Sequence, residues 1–269
     1  MAMSIWTVDS ESVLQFPASF VFSTLKDVGV WRLFRGGRWR QVSGGAQRYI
    51  EALAEPMREC ISLGTRVERV RRESDHVVVV TNHPPTNEPC EQRFDEVIFA
   101  INADTALTLI DNPSSDERQT LSAFGSTKHS TGITHDERVV AGYRNGSEPA
   151  FMHVDVHRPS GKGNAQTELK AGFFDLRRLF RLQLKDPLFL WYILTDQPCP
   201  KNFFATFDYA TPVFSATAFE AQQKHPRISG VNRLHFCGAG WENGLHEGGV
   251  VSALKVAKHF GKSLDEVTK

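Results

Sequence analysis

Cys237-Gly238-Ala239-Gly240-Trp241-Glu242-Asn243-Gly244-Leu245-His246-Glu247-Gly248-Gly249 decides how this chain is read. The apolar run Arg233 to Cys237 ahead of it has strand character. The pattern behind it, from about Gly249 to Phe260, is helical. Strand, glycine turn and helix together make a backbone-dominated ligand turn. Glycine lets a ligand approach the main chain, and the N-terminus of the following helix offers free N–H groups and the positive end of its dipole. A stand-alone dinucleotide fingerprint is a poorer description. Its helix follows the glycines immediately, and it needs an acidic residue at the end of a second strand about 20 positions on. His246-Glu247, placed just before the helix, suits proton transfer, with capping as the plainer alternative.

Upstream, Glu11 to Val28 predicts a helix interrupted by Pro17. Trp39 to Gly45 predicts a short strand ending in a glycine pair. Ala46 to Arg58 predicts a helix with Tyr49, Ile50, Leu53 and Met57 on one stripe. Val67 to Arg72 and Asp75 to Asn82 pair as a hairpin. His83 to Glu91 is a Pro-rich loop. Asp95 to Ile101 is an apolar run of the kind buried on both faces of a sheet, and it leads into a helix with Asp104 near its start. Further on, Met152 to His157 predicts a strand, Ser160 to Asn164 a loop and Phe173 to Leu184 a helix. Leu188 to Leu194 predicts a strand and Ala216 to Lys224 a helix.

The 269 residues carry 31 basic and 31 acidic side chains, so no net field favours nucleic acid. Arg32, Arg35, Arg38 and Arg40 form a basic cluster, but Trp31, Leu33, Phe34 and Trp39 interleave with it as packing residues, which favours a solvated face. Four cysteines show no metal-ligand spacing and are expected as free thiols. No run is long and apolar enough to span a bilayer, and no leader pattern stands at Met1 to Asp9, so the cytoplasm is the expected location.

His153-Val154-Asp155-Val156-His157 puts three polar residues at alternate positions of a strand, hence on one face. His-x-Asp with a distant histidine is also the iron-binding facial triad, for which His225, His235 or His246 are nominal third ligands. The plainer alternative is a polar strand at a cleft wall. Tyr209, Phe207, Phe214 and Trp241 suit either a flat ligand or a core, and Phe203, Phe204, Phe207 and Tyr209 a hydrophobic or lipid-like ligand or a core.

Taken in order, several stretches resemble one family. They are Trp39-x-x-Val42-x-Gly44-Gly45-x-x-x-Tyr49-Ile50, Leu63-Gly64-Thr65-Arg66-Val67, and Phe94-Asp95-x-Val97-Ile98-Phe99-Ala100-x-Asn102-Ala103-Asp104. After these come His153-x-Asp155, Tyr209-Ala210-Thr211-Pro212, and Phe236-Cys237-Gly238-Ala239 with Gly244, His246, Glu247 and Gly249. Together they resemble the flavin-containing amine oxidase superfamily.

The resemblance implies an α/β (α+β) fold, with a partial, Rossmann-like FAD-binding domain over 43–122 and 233–269. This is interleaved with a mixed-sheet substrate domain over 1–42 and 123–232. It implies FAD as cofactor. Val67 would sit near the adenine and Ala100, Ile101 and Ala103 near the diphosphate. Gly238, Ala239, Gly244, Leu245, His246 and Glu247 would lie along the rest of the cofactor. It takes His153-x-Asp155 as a substrate-domain strand rather than a metal site, so no metal is expected. His246, Glu247, His153 and Asp155 are the candidate acid–base residues.

The family's first strand, Gly-x-Gly-x-x-Gly turn and helix have no counterpart in this sequence, so a truncated flavin oxidoreductase acting on a hydrophobic or lipid-like small molecule is expected. Two alternatives stand beside it: a cofactor-free isomerase or cyclase using the emptied cleft, and a non-catalytic binding protein. A homo-oligomer or a complementing FAD-domain partner would cover the apolar surface left near Asp95 to Ile101.

Overall fold

The computed structural model describes residues 2–8, 10–30, 40–83, 88–138, 151–158, 167–193 and 202–264, with only the backbone for 3, 4, 10, 83, 151–158, 167–171 and 193. Arg32, Arg35, Arg38, Trp39 and the expected loop Ser160 to Asn164 lie outside these residues. The chain forms two compact units. One joins Met1–Phe16 to Phe124–Phe219, and the other joins Pro17–Ala123 to Glu220–Lys269. Among the described residues no helix is long and apolar enough to cross a membrane.

Two short helices open the chain, α1 (Ala2–Trp6) and α2 (Ser10–Leu14). Pro17, with extended backbone, separates them from α3 (Ala18–Asp27). Proline cannot donate the bond that would carry a helix through it, and the expected interruption falls there. The expected strand before Gly45 is not formed over its described residues 40–45. Gly44 and Gly45 have φ of 82° and 87°, a left-handed conformation no strand uses, and the Gly45 N–H closes a turn onto the Val42 carbonyl at 3.0 Å.

Helix α4 (Gln47–Ala54) then runs into a 3-10 turn at Glu55–Cys60, where Pro56 ends the α-helical bonding. Its apolar stripe is exposed, from 37% at Tyr49 to 68% at Leu53. Strands β1 (Arg66–Arg72) and β2 (Val77–His83) form the expected antiparallel hairpin, with a bulge between Val67 and Arg69. A third strand, β3 (Glu88–Phe94), pairs with β2 where the sequence predicts a loop reaching Glu91. Pro89 is tolerated because β3 is an edge strand of this sheet and its missing N–H interrupts no second ladder.

Strand β4 (Val97–Phe99) is shorter than the apolar run that contains it. Ile98 is 49% exposed, so the run is not buried on both faces. Helix α5 (Ala103–Leu109) follows, with Asp104 in its first turn. Helix α6 (Ser115–Leu121) starts at a complete capping box of Ser114 and Glu117. Buried Glu117 also meets the Arg72 guanidinium at 2.6 Å, tying α6 to β1.

The next strands are β5 (Gly125–Thr134), β6 (Phe151–Arg158) and β7 (Thr167–Asp175). Next come a single helical turn α7 (Leu176–Leu179), then β8 (Phe189–Ile193) and β9 (Ala205–Val213). The expected helix Phe173 to Leu184 is therefore a strand end, one helical turn and a loop. Asp175 ends the strand by accepting the Arg178 N–H at 3.1 Å, which starts and nearly completes α7. The five strands form one sheet in the order β6-β7-β8-β5-β9, antiparallel at every described pairing. Phe173, Phe189 and Trp191 build its core, with Phe173 and Trp191 stacked at 6.0 Å.

Helix α8 (Ala216–Gln222) carries the chain back to the second unit. There β10 (Leu234–Phe236) pairs in parallel with β4, and α9 (His246–His259) closes the described chain.

Candidate functional site

Parallel pairing of β10 with β4 sets Leu234 beside Val97, His235 beside Ile98 and Phe236 beside Phe99. The Cys237 N–H extends the ladder to the Phe99 carbonyl at 2.9 Å, and the Phe99 and Phe236 rings stack at 5.4 Å. Both strands therefore end together. Ala100 to Asn102 leave one strand end and Cys237 to Gly240 leave the other, each leading to a helix. The space beyond the carboxyl ends of parallel strands is where open α/β sheets bind ligands, because the ladder stops there and helix N-termini begin.

The glycine turn is held from three sides. Gly238 has a φ of 124°, which a side chain rarely adopts, and a Cβ there would lie 3.6 Å from the Ile101 carbonyl. Its N–H donates to the Ser252 hydroxyl at 2.9 Å, and that hydroxyl donates to the Gly249 carbonyl at 2.8 Å. Gln222 donates from one amide nitrogen to the Gly240 and Glu242 carbonyls, both at 2.8 Å. Lys255 pairs with the Glu242 carboxylate. Buried Trp241 packs edge-on against His225 at 4.8 Å, while His225 Nε2 bonds the Phe236 carbonyl at 2.6 Å. Burial pushes the His225 pKa down and the Cys237 thiol up.

Gly244 turns the chain at φ 82°, and its N–H reaches the Ala239 carbonyl at 2.9 Å. Helix α9 then begins at His246, three residues before the expected Gly249, so His246 and Glu247 belong to its first turn. Its N-cap, Leu245, supplies no side-chain acceptor. The first N–H groups of a helix have no acceptor within it, so they are available to a ligand. Gly248 and Gly249 differ in kind. A Cβ on Gly248 would fall 2.5 Å from Asn243 Oδ1, whereas a Cβ on Gly249 would meet nothing within 4 Å.

His246 is not isolated. Its Nδ1 lies 2.9 Å from the Tyr49 hydroxyl, which joins α4 to α9. Val67 stands at the β1 bulge, and Ala100, Ala103, Gly238, Ala239, Gly244, Leu245 and Glu247 all fall in this same unit. Sequence reasoning missed Gln222 and Ser252 as supports of the turn. Ser252 lies three residues beyond Gly249 on α9, a helical spacing that points to it in retrospect; Gln222 carries no local signal.

His153 and Asp155 occupy β6, in the other unit. Cross-strand register sets His153 beside Gly172, Gly172 beside Tyr192, Tyr192 beside Thr131, and Thr131 beside Phe207. A Cβ on Gly172 would lie 2.2 Å from the Tyr192 hydroxyl, so the glycine makes room for that ring.

Two residues back along β5, His129 pairs with Tyr209, and their rings stack at 5.7 Å. The sequence did not single out His129. It is 6% exposed, burial lowers its pKa, and its Nδ1 has no hydrogen-bond partner among the described residues. The nominal third ligands for a metal are engaged elsewhere: His225 with a carbonyl, His235 with Glu96 at 3.0 Å, His246 with Tyr49. No metal-suited cluster of three His, Cys, Asp or Glu occurs among the described residues.

Residues 10–143 match the model of a family described as flavin containing amine oxidoreductase. No curated protein matches the sequence. Among solved structures, a CLA-producing fatty acid isomerase from P. acnes matches at 12% identity and a TM-score of 0.44, over 73% of this chain and 47% of its own. RebC-10x, soaked with chromopyrrolic acid and holding 7-carboxy-K252c, matches at 12% and 0.36, over 77% of this chain and 38% of its own. The substrate-free rebeccamycin biosynthetic enzyme REBC matches at 10% and 0.34, over 76% and 39%. The chain thus spans less than half the length of each of these structures. Over residues 10–143, from α2 to just past β5, the chain belongs to the flavin containing amine oxidoreductase superfamily.

Proposed function

We propose that this chain carries one wall of a flavin site in an FAD-dependent oxidoreductase of the amine-oxidase type, acting on a hydrophobic or lipid-like small molecule. The observation that carries this is the turn Gly238 to Gly249. It lies beyond the ends of a parallel strand pair, is braced from behind by Ser252 and Gln222, and is open at Gly249. Bracing from behind with an open front suits a group that approaches backbone. The uncapped first turn of α9 suits one with hydrogen-bond acceptors.

On this proposal Gly238, Ala239, Gly244, Leu245, His246 and Glu247 lie along the cofactor, with Ala100, Ala103 and Val67 on its nucleotide side. When bound, FAD supplies the hydride acceptor for oxidation of a C–N or C–C bond. The protein's share is positioning. Tyr49 fixes the ring of His246, which can hold or move a proton at Nε2 while Nδ1 is engaged. Residues 43–122 with 233–269 are proposed as the cofactor part and 1–42 with 123–232 as the substrate part; of the two compact units, the one that holds the glycine turn also takes in 17–42 and 220–232. A hydrophobic substrate is supported by the exposed aromatic side chains Phe204, Phe207 and Tyr209.

The test is flavin uptake by the purified chain, followed by quenching of FAD fluorescence, with Gly249→Ala as control. The expected result is saturable uptake that weakens in Gly249→Ala, although that variant folds at least as stably. A chain that neither carries nor takes up FAD would sink the assignment for these 269 residues.

A further inference from the structure

Between β7 and β8 the chain leaves the sheet at Asp175 and re-enters it at Phe189, and these two residues are register partners. The loop between them reads Leu176-Arg177-Arg178-Leu179-Phe180-Arg181-Leu182-Gln183-Leu184-Lys185-Asp186-Pro187-Leu188. Its base is closed: the Leu176 N–H donates to the Leu188 carbonyl at 2.8 Å, and His135 Nδ1 lies 2.7 Å from the Pro187 carbonyl. Its interior is bonded too. The Leu182 N–H reaches the Arg177 carbonyl at 2.9 Å, and Arg177 reaches across towards the Lys185 carbonyl. A loop with joined ends and internal bonds is a built element of the kind that often carries function.

Everything from Arg178 to Asp186 is exposed. That includes Leu179 at 36%, Phe180 at 43%, Leu182 at 36% and Leu184 at 43%. Four large apolar side chains interspersed with cations thus each keep more than a third of their surface open to water. The charge is one-sided. Arg178 is paired with Asp175 at 3.2 Å, which leaves Arg177, Arg181 and Lys185 against Asp186 alone. A protein partner with an apolar pocket would need no such excess of cations. A negatively charged lipid surface takes both parts: apolar tips enter the acyl boundary while the cations stay at the headgroups.

We infer that the loop Leu176 to Leu188 docks this protein on the surface of an anionic phospholipid bilayer. Docking is peripheral, through Leu179, Phe180, Leu182 and Leu184 as inserted residues and Arg177, Arg181 and Lys185 as headgroup contacts. The inference is independent of flavin binding.

The experiment is co-sedimentation of the whole chain with phosphatidylcholine vesicles, with and without phosphatidylserine, at low and high salt. Two double variants accompany it, Phe180→Ser with Leu182→Ser, and Arg181→Asn with Lys185→Gln. Asparagine suits the left-handed backbone at position 181, where φ is 52°.

The expected result is binding to the serine-lipid vesicles that weakens in salt. Removing the anionic lipid, or making either double change, should lower affinity about tenfold or more. Circular dichroism and the urea midpoint of each variant show that the fold is kept, so that a loss of binding is read from the loop itself. Equal binding to both vesicle types, no binding at all, or undiminished binding by the charge variant would overturn the proposal. So would a wild-type dimer without lipid that Phe180→Ser/Leu182→Ser converts to monomer, because the loop would then be a contact between copies.

Discussion

Two adjacent glycines at the start of α9 do opposite things. Gly248 faces Asn243 Oδ1, which is already committed to the Leu245 N–H at 3.1 Å, and the Asn243 backbone lies close behind. A methyl group there displaces a working hydrogen bond. Gly248→Ala is expected to cost about 1–3 kcal/mol as an overpacked site. Gly249 faces open space inside a helix, so Gly249→Ala should add about 0.5–1 kcal/mol by helix propensity. Urea midpoints of the two variants check both signs, and finding the same sign for both would contradict the geometry. At His129 the buried Nδ1 has no partner among the described residues, a condition that works against stability. His129→Leu is therefore expected to leave the urea midpoint unchanged or raise it. A loss of activity in the same variant would mark the nitrogen as facing a ligand.

Among the elements, α6 shows how one carboxylate can hold an interface. Glu117 is 2% exposed, closes the capping box with Ser114 and bonds Arg72 on β1. Removing it leaves the half-buried Arg72 guanidinium with the Asn112 carbonyl but no carboxylate, and takes the acceptor from the Ser114 N–H. Glu117→Ala should cost about 3–5 kcal/mol, the range for breaking a buried pair from one side. Ser114→Ala loses only the cap and should cost about 1 kcal/mol. Equal effects in denaturant melts would mean that the Arg72 pairing contributes nothing beyond the cap. Between α4 and α9, Tyr49→Phe removes an exposed hydrogen bond to His246. Stability should hardly move. Turnover should fall if His246 is held for proton transfer, and unchanged turnover would remove Tyr49 from the site.

Over the whole molecule, each unit buries a histidine whose pKa burial lowers, His129 in one and His225 in the other. Their unfolded pKa is about 6.5, above the folded values, so below about 6.5 the unfolded chain binds more protons than the native one. Stability is therefore flat above that window and is lost as pH falls through it towards the folded pKa values. Urea midpoints taken from about pH 8 down to about pH 5 should decline on the acid side. His129→Leu should flatten part of that decline, and a decline of unchanged slope would show that His129 does not titrate as its burial requires.

Local chemistry wrote much of this fold directly into the chain. Pro17 split the first helix, Val77 to Val80 and their neighbours gave the hairpin, and the short strand, glycine turn and helix at the C-terminus were legible as one unit. These depend on φ restrictions and side-chain alternation, which act over a few residues. Register and burial act over the whole chain, and there the sequence alone failed. The leucines and arginines after Phe173 look helical in composition, yet pairing to β8 makes the first part a strand and leaves the rest a projecting loop. Tyr49, Gln222 and Ser252 gained their places around the turn only when distant elements met. The glycine turn was determined by sequence; what braces it, and which of its glycines stays open, was decided by tertiary packing, because a hydrogen bond across 197 residues has no local signature.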